Sequence, residues 1–190
     1  MSLPRLTSLL FCIGSASAAI AAVPPSPSSI DRAKSKVTAT AKQLGVPIEG
    51  AFNKVSGNIV FDPAHPAQSS ARVEIEVASY DMGAPEYNKE VAGKDWFNAA
   101  QFPKAIFASS SIVAAGAGKF TVAGKLTLKG HTVAVTFPAT FKTEGGQSVF
   151  DGTLPIKRGS FTVGDGEWKD TSVVADEVLI KFHVVTAPIK

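Results

Sequence analysis

Cysteine is almost absent: Cys12 is the single one in 190 residues, and it lies inside the N-terminal apolar run. Beyond that run the chain has no thiol, no disulfide and no cysteine-ligated metal. Histidine is scarce too. His65, His131 and His183 lie far apart, in or beside turns or on an outward strand face, and no two of them share a metal-ligand motif. The 19 Lys and Arg are nearly balanced by 16 Asp and Glu, with no basic cluster and no interleaving of basic and aromatic residues. This excludes the usual footprint of a nucleic-acid binder. No G-x-S-x-G turn supports a hydrolase. The glycines and lysines of "GAGKFTVAGK" run into a strand, so no helix N-terminus follows them to cradle a phosphate. Without a catalytic constellation, the composition points to a non-enzymatic protein that needs no cofactor and no metal.

One apolar run stands out, "MSLPRLTSLLFCIGSASAAIAAV", with an early Arg5 and small residues at its end. It reads as a secretory signal peptide covering residues 1–21, with cleavage after Ala21. It is too short and too rich in Ser and Ala for the roughly 20 apolar residues of a membrane span. A Pro/Ser-rich linker and lead-in is expected over residues 22–36, and one folded domain over residues 37–187.

The folded part is dominated by period two. In "RVEIEVA", Val73, Ile75 and Val77 alternate with Glu74 and Glu76, the mark of a half-buried strand. "FTVAGKLTLKG", "TVAVTFPATF" and "DEVLIKFHV" repeat the pattern. With "SKVTATA", "FNKVSGNIVFD", "AIFASSSIV" and "SVFDGTLPI" they give about eight strands, joined by turn dipeptides such as Lys129-Gly130 and Gly145-Gly146. The fold expected is all-β: an antiparallel eight-stranded barrel with one short helix after the third strand, within Pro85 to Phe97. Trp96, Phe97 and Phe102, where that helix turns back into a strand, are expected to plug one end.

The inward set is then almost wholly apolar, with no inward carboxylate pair. An eight-stranded interior is either just filled by side chains or wide enough for one small ligand. Small residues at inward positions, Gly57, Ser109, Gly124, Ala139 and Gly152, lie among the phenylalanines. They fit a channel and an interdigitated core equally well. In "GDGEWKDTSVVADEV", Trp168 reads either as a cover for the barrel end or as the apolar wall of a mouth, where Lys169 or Arg158 would meet a polar head group.

Several segments together resemble the YceI-like family of periplasmic, lipocalin-like lipid binders. They are "LGVPIEGAFNKVSGNIVFDP", "VEIEVASYDMG", "GKDWFNAAQFPKAIFASSS", "GKLTLKGHT" and "GEWKDTSVVADEVLIKF", in that order. The resemblance covers roughly Val37 to Val184; Gln43 stands where members usually have histidine, and a tryptophan usual before the first strand is lacking. It implies an extended barrel in the periplasm that binds, stores or carries a long-chain isoprenoid or fatty acyl amphiphile in an apolar cavity. On the alternation, that ligand would meet Val77, Phe107, Leu126, Phe137, Phe141 and Phe182, with Trp168 near its exit. A second class of function is an accessory module with a filled barrel that binds a membrane redox partner. Transient contact with a membrane or membrane protein, and a homodimer, are both compatible with the resemblance.

Overall fold

The computed structural model describes residues 26–187, so the expected signal peptide, its expected cleavage point and Cys12 lie outside the described residues. The strands are β1 (Ser28–Ser29), β2 (Lys36–Gln43), β3 (Val46–Phe52), β4 (Val55–Val60), β5 (Ser70–Glu76), β6 (Tyr80–Asp81), β7 (Lys104–Gly116), β8 (Lys119–Leu128), β9 (His131–Glu144), β10 (Gln147–Lys157) and β11 (Val174–Val185). One α-helix, α1 (Pro85–Ala92), follows β6. All pairings are antiparallel, in one sheet ordered β1-β4-β5-β7-β8-β9-β10-β11-β2-β3-β6.

Two expectations are corrected. The sheet has eleven strands rather than eight, and it forms a curled half-barrel. The helix follows the sixth strand rather than the third. The main physical reason lies in "FNKVSGNIVFD", which alternation treats as one strand. Asn53 and Lys54 break it into the end of β3 and the whole of β4, and "VPIEGAF" becomes β3 by pairing with β2 from Val37–Phe52 to Gln43–Val46. The two-residue strands β1 and β6 are too short to show any period. β1 falls in the stretch read as a lead-in, where Ser28 and Ser29 pair with Ile59 and Asn58.

Alternation survives best in β8, where Phe120, Val122, Leu126 and Leu128 are buried while Lys119, Thr121 and Lys125 are exposed. In β7 it is interrupted: the register against β8 slips between Ser109 and Ser111. This bulge moves the inward phase from Phe107 to the buried Ile112 and adds curl. One end of the curl is laced by backbone bonds, Asp31 N–H to Val185 O at 2.8 Å and Ala187 N–H to Ser29 O at 2.7 Å, around the isolated Ile30–Thr186 bridge. There Ile30, Val37, Val55, Ile59 and Val184 form a small core. At the opposite end stand α1 and the loop between β10 and β11.

Proline opens α1, where its missing N–H costs nothing, and Gly93 ends it. Its one buried residue is Val91; Tyr87 stays 62% exposed. No helix among the described residues is long and apolar enough to cross a membrane.

Candidate ligand-binding site

The concave face of the sheet holds two cavities. The smaller, about 140 Å³, is lined only by apolar side chains, including Val37, Ile59, Val73, Ile112, Leu154, Val184 and the rings of Phe61, Phe107, Phe120, Phe137, Phe150 and Phe182. The larger, about 200 Å³, is lined by Ala39, Ala41, Gln43, Phe52, Tyr80, Met82, Tyr87, Glu90, Trp96, Phe97, Ile156, Arg158, Trp168 and Val178, among others. They lie end to end. Going along β2, Val37 faces the first and Ala39, Ala41 and Gln43 the second; along β11, Val184 and Phe182 face the first and Val178 and Val174 the second. Ile180 lines both and stands at their junction. An apolar void near 150 Å³ stays dry and accepts a benzene-sized guest. The smaller cavity is therefore a ready apolar receptor, and the larger is mostly apolar with Gln43, Glu90 and Arg158 in its wall.

Aromatic rings set the shape of the interior. At the laced end, Phe61 contacts Phe120, Phe141 and Phe150 at centroid distances of 5.0, 4.7 and 5.1 Å. Across the middle, Phe107 meets Phe137 at 5.3 Å and Phe137 meets Phe182 at 5.6 Å, both edge to face. Two glycines make room for this row. A Cβ on Gly124 would collide with the Phe107 ring and the Ala108 carbonyl, and one on Gly152 with the Phe182 ring. The small inward residues thus accommodate rings lying flat on the sheet, as an interdigitated core requires, and voids persist beside them.

At the other end polar bonds hold the walls in place. Asp95 O accepts from Gly164 N–H at 2.9 Å, Asp165 N–H at 2.8 Å and Lys129 Nζ at 3.2 Å, joining the segment after α1 to the β10–β11 loop. Lys129 also donates to Thr162 O at 2.6 Å, and burial draws its pKa down. This brings Trp96 and Trp168 to a centroid distance of 5.5 Å. Arg158 is 4% exposed, and all five of its N–H groups are used on carbonyls: Nε on Ala175, Nη1 on Val163 and Gly164, Nη2 on Trp168 and Val174. Burial lowers its pKa and Asp176 opposes that, but a guanidinium stays charged. Arg158 therefore clamps the loop and has no donor left for a head group, contrary to the role the sequence suggests for it. Tyr80 lies across Gly50 and donates its hydroxyl to Ala39 O at 2.9 Å; burial pushes its pKa up to about 12.

Of the residues expected to meet a ligand, Phe107, Leu126, Phe137 and Phe182 line the smaller cavity and Trp168 the larger. Phe141 sits in the phenylalanine cluster at the laced end. Val77, 1% exposed in a 3-10 turn, is core and lines neither cavity. Among the expected plug residues, Trp96 and Phe97 line the larger cavity, whereas Phe102 packs on the β8–β9 turn at Gly130. Alternation missed Met82 and Tyr87, which reach the cavity from β6's end and α1 and carry no strand period. The histidines pair locally, His65 with Asp62 at 2.8 Å, His131 with Thr162 at 3.1 Å and His183 with Asp151 at 2.6 Å. No group of His, Cys, Asp and Glu among the described residues converges on a metal site.

A curled antiparallel sheet with a short helix at one end and apolar cavities in line is a lipocalin-like architecture. The chain belongs to the YceI-like domain family, whose model matches residues 29–186. The crystal structure of Burkholderia cenocepacia BcnA is 57% identical, with a TM-score of 0.81 over 83% of this chain and 99% of that one. A polyisoprenoid binding domain from Saccharophagus degradans shares the fold alone, at 17% identity and a TM-score of 0.67, over 85% of this chain and 98% of that one. A UPF0312 protein of Vibrio cholerae is 34% identical over 122 residues, 61% of this chain and 65% of the relative. A Pseudomonas putida UPF0312 protein is 37% identical over 52% of this chain and 51% of its own length. The chain thus spans about half to two thirds of these curated relatives.

Proposed function

We propose that the protein binds and carries a long-chain isoprenoid or acyl amphiphile in the periplasm, its tail running along the axis from the larger cavity past Ile180 into the smaller. The two collinear cavities carry the proposal, and the Saccharophagus domain of the same fold, a polyisoprenoid binding domain, supports it. Burying a tail contributes about 0.8 kcal/mol per methylene, so a dozen or so carbons bind usefully after association costs are subtracted. Each cavity holds only a benzene-sized group, so a long tail must also push Ile180 and the Phe107–Phe137–Phe182 row aside.

Organic extraction of the periplasmic protein followed by mass spectrometry is expected to release a lipid, and intact mass is expected to show a chain starting near Ala22. Titrating delipidated protein with one head group and increasing tail length is expected to give rising affinity. Flat affinity, or no saturable binding, would leave a filled module that docks on a membrane redox partner as the better account.

A further inference from the structure

The ladder between β9 and β10 runs from Glu144–Gln147 to Ala139–Gly152 and stops there, although β9 begins at His131 and β10 continues to Lys157. The seams on either side stay laddered past that level, β8–β9 to Leu128–His131 and β10–β11 to Lys157–Glu177. Two prolines account for the break. Across a two-residue turn the hydrogen-bonded pairs recur at every second position from Glu144–Gln147, so those due after Thr140–Asp151 are Pro138–Thr153 and Thr136–Pro155. Each of these pairs lacks one of its two donors, because Pro138 and Pro155 carry no N–H. The pair due after them, Ala134–Lys157, has both donors and is still unladdered, so the strands have parted.

A groove of about 260 Å³ lies in the gap, lined by residues 133–136 of β9, residues 154–157 of β10, Ser160 and Phe161. It borders both cavities: Leu154 is shared with the smaller and Ile156 with the larger. Leu154 pairs across β10–β11 with Ile180, the residue at the junction of the cavities. The slit is closed at its two ends, by the Ala139–Gly152 pair and by Thr162, whose carbonyl accepts from Lys129 Nζ at 2.6 Å and whose hydroxyl bonds His131 Nε2 at 3.1 Å.

Resting on the lipid-binding reading above, we propose that this slit is the expansion joint of the binding interior, β10 and β11 moving outward together from β8 and β9 as a tail enters. Between residues 133–137 and 154–157 the movement breaks no ladder bond. At the flanking seams the same widening would leave a row of backbone donors and acceptors without partners. Through its ladder β10 carries β11 with it, which withdraws Ile180 from the junction and Phe182 from Phe137, its neighbour at 5.6 Å on the far side of the slit. Those are side chains that a tail must displace.

The test clamps the slit from outside. Ala134→Cys and Lys157→Cys, made in a Cys12→Ser background, put thiols at two exposed positions that line the groove from opposite strands. They are joined by a thiol-specific linker containing a cleavable disulfide, and binding to delipidated protein is measured by calorimetry with the linker intact and again after cleavage. The probes are decanol, long enough to need both cavities, and benzene, small enough for one. Clamping is expected to weaken decanol binding about tenfold or more, the worth of roughly two methylenes kept out, and cleavage to restore it, with benzene affinity unchanged. Equal decanol affinity in the clamped and released protein would overturn the slit's role and leave lipid binding intact. Equal weakening of benzene would overturn it too, since the clamp would then be deforming a cavity rather than blocking its widening. Absence of saturable decanol binding to wild type and to the released protein would overturn the lipid-binding reading, and the slit's role with it.

Discussion

The two ends of the half-barrel are stabilised by different physics. At the laced end the interior is apolar: the smaller cavity has only apolar walls, three phenylalanines pack around Phe61, and backbone hydrogen bonds close only the rim. At the helical end the walls come from three separate segments, α1, the stretch after it and the β10–β11 loop. Hydrogen bonds from Arg158, Lys129 and the Gly164 and Asp165 amides to backbone carbonyls hold them together. Non-directional packing makes a shape that tolerates any apolar guest. Directional bonds fix individual atoms and so set the position of each wall.

Introducing charge at the apolar end gives the largest effect expected. Phe137→Asp buries an unpaired carboxylate at a 7% exposed position, costing several kcal/mol out of the ~5–15 of an ordinary domain. Its exposed neighbour in Thr136→Asp is expected to stay within about 0.5 kcal/mol. Urea titration of the pair checks the contrast; equal losses would mean that the two faces of β9 are assigned wrongly.

Breaking the polar end comes next. Arg158→Met leaves five carbonyls without their donor, each worth about 1–3 kcal/mol if it stays buried and less where water can reach it. A loss of about 3 kcal/mol or more is expected, with new proteolytic cleavage between residues 163 and 176. Cleavage there without loss of the laced end's amide protection would show that the two ends open separately. Arg158→Lys is expected to recover little, because three donors on one nitrogen cannot span the fork.

Gly124→Ala probes the row of rings that walls the smaller cavity. The new methyl meets the Ala108 carbonyl and the Phe107 ring, and backbone cannot step aside cheaply. Thermal denaturation is expected to report a loss of about 1–3 kcal/mol.

The smallest effect separates the ends by pH. Tyr80 has its folded pKa raised to about 12 by burial, above the value near 10 of an exposed tyrosine. A raised pKa means that the folded state holds the proton more tightly. The contribution is therefore complete below about pH 10 and is lost as pH climbs toward 12. Tyr80→Phe is expected to cost about 1 kcal/mol at neutral pH, from the bond to Ala39 O, and to flatten the alkaline decline in melting temperature. An unchanged decline would assign it to other groups.

Alternation in β8, β9 and β11 and the turn dipeptides determined by themselves that the chain forms an antiparallel sheet with an apolar inner face. A strand pattern is local, written at every second residue, so Phe107, Leu126, Phe137 and Phe182 were legible as inward before any partner strand was known. The strand count was not, because the β3–β4 break at Asn53-Lys54 and the bulge near Ser110 depend on which strands pair across the curl. Nor does periodicity tell core from cavity wall: Val77 and Phe107 look alike in sequence, and only packing density puts one in the core and the other beside a void. The helical end was hidden almost entirely. Trp96, Glu90, Arg158 and Trp168 lie on non-repeating segments far apart in the chain, and hydrogen bonds formed only after folding bring them to one wall.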